Sequence, residues 1–462
     1  MIDTILTICS VLIFTPWIIK TCSLSWNNRS WHRQLFIACL TLELVSILYI
    51  PSIMYICIGV LVFAFGIYLV IERPKVHVTP IFIIALLYFL WYAISLLWSA
   101  VPKKGIQFLL DNGLVLVCIS SMSCFLVLKK EESIEILQQF CYASCIFIAL
   151  SILSWIVSSW ELQLSLWNWP ILEKETVCRN YSYSWIFRFL GGIDGYIHPS
   201  YNLLPVFVSI PIAAWLKKHN NRHIMWIFLW MGAFILTLLS QSRMGIIYAT
   251  IVLIGNIIYL LPSKKHKIII ATCLCVCGLI AFGYSRHFWK TYGTDNTRDI
   301  LETYTLRYVQ VKPFTGAGAG TLNPIEVCRT INENYWPNVG YIDINQDIAN
   351  WKPKTHMLPH NQWLADWAHA GILAAIITTL LYLCCMIRSI TTKNYWGCIF
   401  IFIFCIFSLL EPPLYIGKGF YLFCFLSCIV YIAPSENQQL PITSQHCLIG
   451  IKRKINKWNI GQ

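Results

Sequence analysis

Side chains able to grip an anion or move a proton gather at four places in this 462-residue chain. His198 follows a glycine-rich stretch from Gly191 to Gly195 and stands just before Pro199, where an apolar run begins. Arg243 sits in Ser242-Arg243-Met244-Gly245, between two apolar runs with almost no loop. Arg298 and Arg307 precede Lys312, Pro313 and the alternating glycines Gly316, Gly318 and Gly320. His360 and Asn361 open the run Gln362-Trp363-Leu364-Ala365-Asp366. Arginine is planar and donates parallel hydrogen bonds, so it suits phosphate and diphosphate. A neutral imidazole can take a proton from a hydroxyl. Three arginines and His360 around one cavity, with His198, Asn361 and Asp366 at its rim, would handle an anionic, phosphorylated substrate.

Each site also has a plainer reading. His360 and Asn361 could simply start and cap a helix. Arg243 could snorkel to lipid phosphates, although a cation in an apolar stretch is a functional candidate by default. Arg298 and Arg307 could be solvated loop charges. The Gly-x-Gly-x-Gly run is not a nucleotide fold, because no strand–helix unit flanks it and no Lys-Ser/Thr follows. It reads as a tight backbone turn whose amides could point at an anion. The carboxylates of these segments (Asp194, Glu302, Asp343, Asp347, Asp366) are scattered, not clustered as Mg²⁺ or Mn²⁺ would need. No metal and no cofactor are expected.

The elements that position these residues follow from composition. Hydrophobic residues make up 57% of the chain and charged ones 12%, against roughly a quarter charged in soluble proteins. That excludes a soluble globular enzyme and a disordered chain. An outer-membrane barrel is excluded too, since its strands alternate apolar and polar residues. The expected fold is all-α, a polytopic membrane protein of about 12–13 transmembrane helices, each needing roughly 20 apolar residues. Apolar runs lie near 2–19, 35–50, 53–71, 80–98, 107–128, 137–159, 199–216, 223–241, 244–261, 267–284, 362–387, 396–410 and 413–432. The first reads as a span rather than a cleaved leader, with Asp3 in place of a basic start.

Charge gives the sides. Arg29, Arg33, Arg73, Lys75, Lys129, Lys130, Lys217, Lys218, Lys264, Arg388, Lys393 and the tail residues Lys452 to Lys457 fall in alternate loops, while the short loops opposite hold Lys103, Lys104 and Arg243. The basic side is cytoplasmic by the positive-inside rule, so the net charge of +13 reports topology rather than nucleic-acid binding. The division is then N-terminal helices in 1–159, an external loop at 160–198, helices in 199–284, a long external loop at 285–361, C-terminal helices in 362–432 and a basic cytoplasmic tail at 433–462. Long loops in compact proteins usually have work to do, which places function on the outer face. Most of the 20 cysteines lie in apolar runs and act as small hydrophobes. Cys178 and Cys328 fall one in each external loop, where two thiols could pair or stay free.

Ser242-Arg243-Met244-Gly245, Arg298 ahead of Pro313, the turn from Pro313 to Gly320, and His360-Asn361 before the Gly371-Ile372-Leu373 helix occur in an order and spacing that resemble the O-antigen ligase and polymerase superfamily of bacterial envelope proteins. The similar stretch is about 198–387. The resemblance implies a metal-independent membrane glycosyltransferase of the bacterial inner membrane with its active site facing the periplasm. It would move a glycan from undecaprenyl diphosphate to an acceptor hydroxyl; O-antigen ligation to lipid A-core stands first, with repeat-unit polymerisation and protein O-oligosaccharyl transfer open beside it, and a lipid-linked glycan flippase is the alternative outside this enzyme class. By the same resemblance Arg243 and Arg298 bind the diphosphate and His360 activates the acceptor. Glu302 stands where the family often has an aromatic residue, which leaves Arg307 as a rival to Arg298.

Overall fold

The computed structural model describes residues 30–49, 51–99, 101–161, 199–220, 223–240, 242–260, 296–320 and 359–433. His198, Cys178, Cys328, the apolar runs 2–19 and 267–284, most of both external loops and the basic tail lie outside them. Among the described residues every regular element is helical. In chain order they are α1 (Trp31–Tyr49), α2 (Pro51–Glu72), α3 (Pro80–Ser95), α4 (Pro102–Phe108), α5 (Val115–Phe125), α6 (Lys130–Glu161) and α7 (Pro199–Asn220). Then follow α8 (His223–Leu239), α9 (Arg243–Leu260), α10 (Asn296–Val311), α11 (Gln362–Ala370), α12 (Ile372–Thr391), α13 (Tyr395–Leu410) and α14 (Gly417–Ile432).

Among the described residues six helical stretches are long and apolar enough to cross a membrane, and four shorter apolar helices accompany them. Outward-facing Phe63, Val70, Leu87, Leu97, Met231 and Phe234 are exposed. So many exposed apolar side chains suit hydrocarbon, not water. The protein is a helical, multi-pass membrane protein.

Two helices are buried on all sides, as a helix without a polar face must be. Residues 200–214 of α7 and 418–430 of α14 are buried throughout. Around α7 pack α6, α8, α9 and α13; around α14 pack α5, α1 and α12. The two share a buried polar tie, in which Lys418 Nζ donates to Asn202 Oδ1 at 2.6 Å and to the Leu48 carbonyl at 3.2 Å.

The ends of the bundle differ. At one end Arg33 pairs with Glu132 at 2.9 Å, His32 with Glu72 at 2.6 Å, and Arg388 reaches the Tyr431 carbonyl at 3.1 Å. These are side chains of the basic loops, brought together on one side. The opposite end carries the start of α7, the turn after α13 and the candidate site.

One predicted element divides. The apolar run 362–387 is two helices, α11 and α12, broken at Gly371 with φ +81°. A β-carbon there would strike the Phe314 carbonyl. Glycine is the residue that takes this backbone angle without strain.

Candidate functional site

Asn361 has extended backbone, and its side chain accepts from the Leu364 amide at 3.0 Å, so it caps α11. The capping reading of Asn361 is therefore met, and it leaves His360 outside the helix with its ring partly open. His360 Nδ1 lies 3.0 Å from Glu411 Oε2, and the two side chains are 28% and 5% exposed. Facing a carboxylate, Nδ1 carries the proton and donates it. In the neutral ring Nε2 then holds the lone pair. That is the arrangement of a base held in one tautomer by an acid.

Glu411 is where it is because α13 must stop there. Pro412 and Pro413 follow and cannot continue a helix. Its amide still closes the last turn on the Phe407 carbonyl at 2.8 Å. Phe407, one turn back, packs its ring against Tyr248 of α9 at 5.6 Å and Tyr201 of α7 at 4.9 Å.

α9 begins at Arg243. Ser242 starts it by accepting the Gly245 amide on its hydroxyl at 3.2 Å. Gly245 has no room for a side chain, since a β-carbon would meet Thr237 of α8 at 2.8 Å. The Ser-Arg-x-Gly spacing is thus a tight α8–α9 corner that puts an arginine on the first residue of a helix.

The glycine turn corrects one expectation. Its amides do not point at an anion, because the protein uses them. Gly316 N–H donates to the Lys312 carbonyl at 3.1 Å, Ala317 to Ala368 at 2.8 Å and Gly318 to His369 at 2.7 Å. Ala319 N–H donates to Ser95 Oγ at 3.1 Å. The turn instead satisfies carbonyls that the end of α11 leaves open, and Trp91 Nε1 takes the Ala370 carbonyl at 2.7 Å. In return, the Ile372 amide at 2.9 Å and the Trp367 indole at 2.7 Å both donate to the Pro313 carbonyl. Trp98 holds Thr315 O at 2.9 Å and Ser99 holds Ala319 O at 2.6 Å. Each such bond is worth about 1 kcal/mol net. The turn is a strap that ties α10 to α11, and a small core of Tyr308, Val309, Ala317, Leu364 and Ala368 packs beneath it.

Arg298 and Arg307 both lie on α10. Roughly two and a half helical turns separate them, which sets the two positions on opposite faces. Arg307 is partly buried and engaged with a neighbour. Arg243 and Arg298 are placed through their backbones alone.

Asp366 is not at a rim. It is fully buried and accepts four hydrogen bonds, from Tyr92, Tyr415, Gln362 and Thr378. Among the described residues no three His, Cys, Asp or Glu side chains gather as metal ligands would.

Residues 226–379 match the O-antigen ligase family. The matched stretch runs from α8 into the first half of α12, so it contains the Ser242–Gly245 corner, α10, the glycine turn, His360 and Asp366. Over that third of the chain the sequence is similar to O-antigen ligases, in line with what the sequence motifs implied. No curated protein matches the chain. Glu411, the partner of His360, lies beyond the matched ligase domain. Glu411 is not among the residues that the sequence singled out. An acid directly before Pro412-Pro413, at the end of an apolar run, was the signal available.

Proposed function

We propose that the protein is a periplasm-facing glycosyltransferase of the inner membrane that moves a glycan from undecaprenyl diphosphate to a hydroxyl, with lipid A-core as the acceptor. The observation that carries this reading is the His360–Glu411 pair, in which His360 belongs to the stretch similar to the ligase family and Glu411 follows it, at the end of the bundle where α9 starts with Arg243.

The chemistry follows from the groups. The acceptor oxygen attacks the anomeric carbon of the first sugar. The bond from that carbon to the diphosphate oxygen breaks, and its electron pair leaves with undecaprenyl diphosphate. The hydroxyl proton goes to His360 Nε2, while Glu411 stabilises the imidazolium that forms. Arg243 and Arg298 hold the diphosphate and balance the charge that develops on it, a form of stabilisation effective where water is scarce. Arg307 is the alternative to Arg298. Diphosphate is already a good leaving group, so the scheme invokes no metal.

The test is transfer by the purified protein, in detergent and without any ion gradient, from undecaprenyl-diphosphate-linked O-antigen to lipid A-core. Product on lipid A-core is expected. Lengthening of the donor glycan without lipid A-core product would make the protein a polymerase. No transfer, with donor movement across vesicle membranes, would make it a flippase.

A further inference from the structure

The two halves of the proposed base, His360 and Glu411, come from separate elements, yet both hang from one buried group. Gln362 stands two positions after His360, and Leu414 three positions after Glu411. Gln362 Oε1 accepts the Leu414 amide at 2.8 Å. Its Nε2 donates to Asp366 Oδ2 at 3.0 Å. The orientation of this amide is forced, because the backbone N–H only donates and a carboxylate only accepts.

Asp366 is saturated. Oδ2 also takes the Thr378 hydroxyl at 2.7 Å, and Oδ1 takes the hydroxyls of Tyr92 at 2.7 Å and Tyr415 at 2.9 Å. Tyr415 belongs to the same short turn as Leu414 and stacks on Phe108. Asn112, in a π-helical turn after α4, holds the Leu414 carbonyl at 2.8 Å. The turn is therefore gripped from α3, α11 and the π-turn. Its link back to Glu411 is Pro412-Pro413, whose rings restrict the backbone, so a shift at Leu414 passes to Glu411.

We infer that Gln362 and Asp366 form a positioning clasp that sets the distance and angle between His360 and Glu411. This rests on the reading of His360 as the base. Neither clasp residue touches substrate; both act through the pair. A fully satisfied buried network is rigid, whereas one missing partner leaves a buried donor or acceptor open. A base misplaced by about 1 Å can cost roughly 10²-fold in rate.

The experiment compares full-length variants in the purified transfer assay, with undecaprenyl-diphosphate-linked O-antigen and lipid A-core as probes. Gln362→Leu keeps the bulk and removes both amide bonds. It should lower kcat by about 10–100-fold with both KM values within about threefold of wild type. The double variant Gln362→Glu with Asp366→Asn reverses which residue donates, keeps the net charge and leaves every bond of the clasp able to form. It should keep kcat within about threefold of wild type.

Gln362→Leu with unchanged kcat would overturn the clasp. So would a loss that falls on KM, one that merely tracks the amount of folded protein, or a double variant as slow as Gln362→Leu. His360→Ala run alongside separates the two claims. If His360→Ala is inactive and Gln362→Leu is active, the clasp alone fails. If His360→Ala is active, the base assignment fails and takes the clasp with it.

Discussion

His360 and Glu411 are 51 positions apart in the chain, yet Nδ1 of the first lies 3.0 Å from Oε2 of the second. The contact leaves Nε2 as the atom able to accept a proton, on a ring held at the mouth of α11 and partly open to the outside.

Removing either side chain should therefore stop transfer without stopping folding. His360→Ala is expected to lower kcat by ~10²–10⁴-fold, the usual contribution of a positioned base. Glu411→Gln keeps the shape and the hydrogen bond but loses the charge that stabilises the imidazolium. It should cost at least about tenfold in kcat. Single-turnover transfer at matched protein amounts reads both, and activity of His360→Ala within tenfold of wild type would remove it as the base.

The arginines divide by face. Because α10 sets Arg298 and Arg307 on opposite sides, only one of Arg298→Ala and Arg307→Ala should weaken donor binding, and Arg298→Ala is the expected one. Arg243→Lys keeps the charge and loses the planar fork, so it should also weaken donor binding. Affinity for undecaprenyl diphosphate in detergent is the measurement. Equal losses from Arg298→Ala and Arg307→Ala would contradict the geometry of α10.

Gly318 has φ +92°, and a β-carbon on it would press into the backbone of Ser99. Gly318→Ala should cost about 1–3 kcal/mol in backbone strain and further in contacts. It should loosen the strap between α10 and α11, lowering both the melting temperature in detergent and the transfer rate. Gly66→Ala is the control, because nothing lies within 4 Å of a β-carbon there. A melting temperature for Gly318→Ala equal to that of Gly66→Ala would show that the turn does not need its glycines.

The proposed mechanism draws its positive charge from arginine side chains. Transfer should persist in excess EDTA at the wild-type rate. A rate that collapses under EDTA and returns with Mg²⁺ or Mn²⁺ would require a metal in the reaction.

Much of the bundle was legible in the chain, because membrane helices announce themselves locally. A run of about 20 apolar residues is a span wherever its neighbours lie. The helices around 53–71, 80–98, 223–241 and 396–410 accordingly sit close to their expected bounds. Asn361 as a helix cap was readable for the same reason, since a cap bonds to an amide only three residues on. The ligase motifs from Ser242 to Gly371 were readable as an ordered series of residue types.

Three features needed the folded molecule. Gly371 looked like one small residue inside an apolar run; it breaks the helix because the Phe314 carbonyl occupies the space of its missing side chain. The glycine turn resembled an anion cradle until the end of α11 arrived to take its amides. Glu411 has nothing beside it in sequence that names its partner, and Asp366 was expected at a cavity rim. Each depends on a partner contributed by another helix: His360 for Glu411, Tyr92 and Tyr415 for Asp366. Apolar length and capping are properties of neighbouring residues, so the linear chain contains them. The partner of a buried polar group is chosen by which helices pack together, and that choice is made only when the bundle closes.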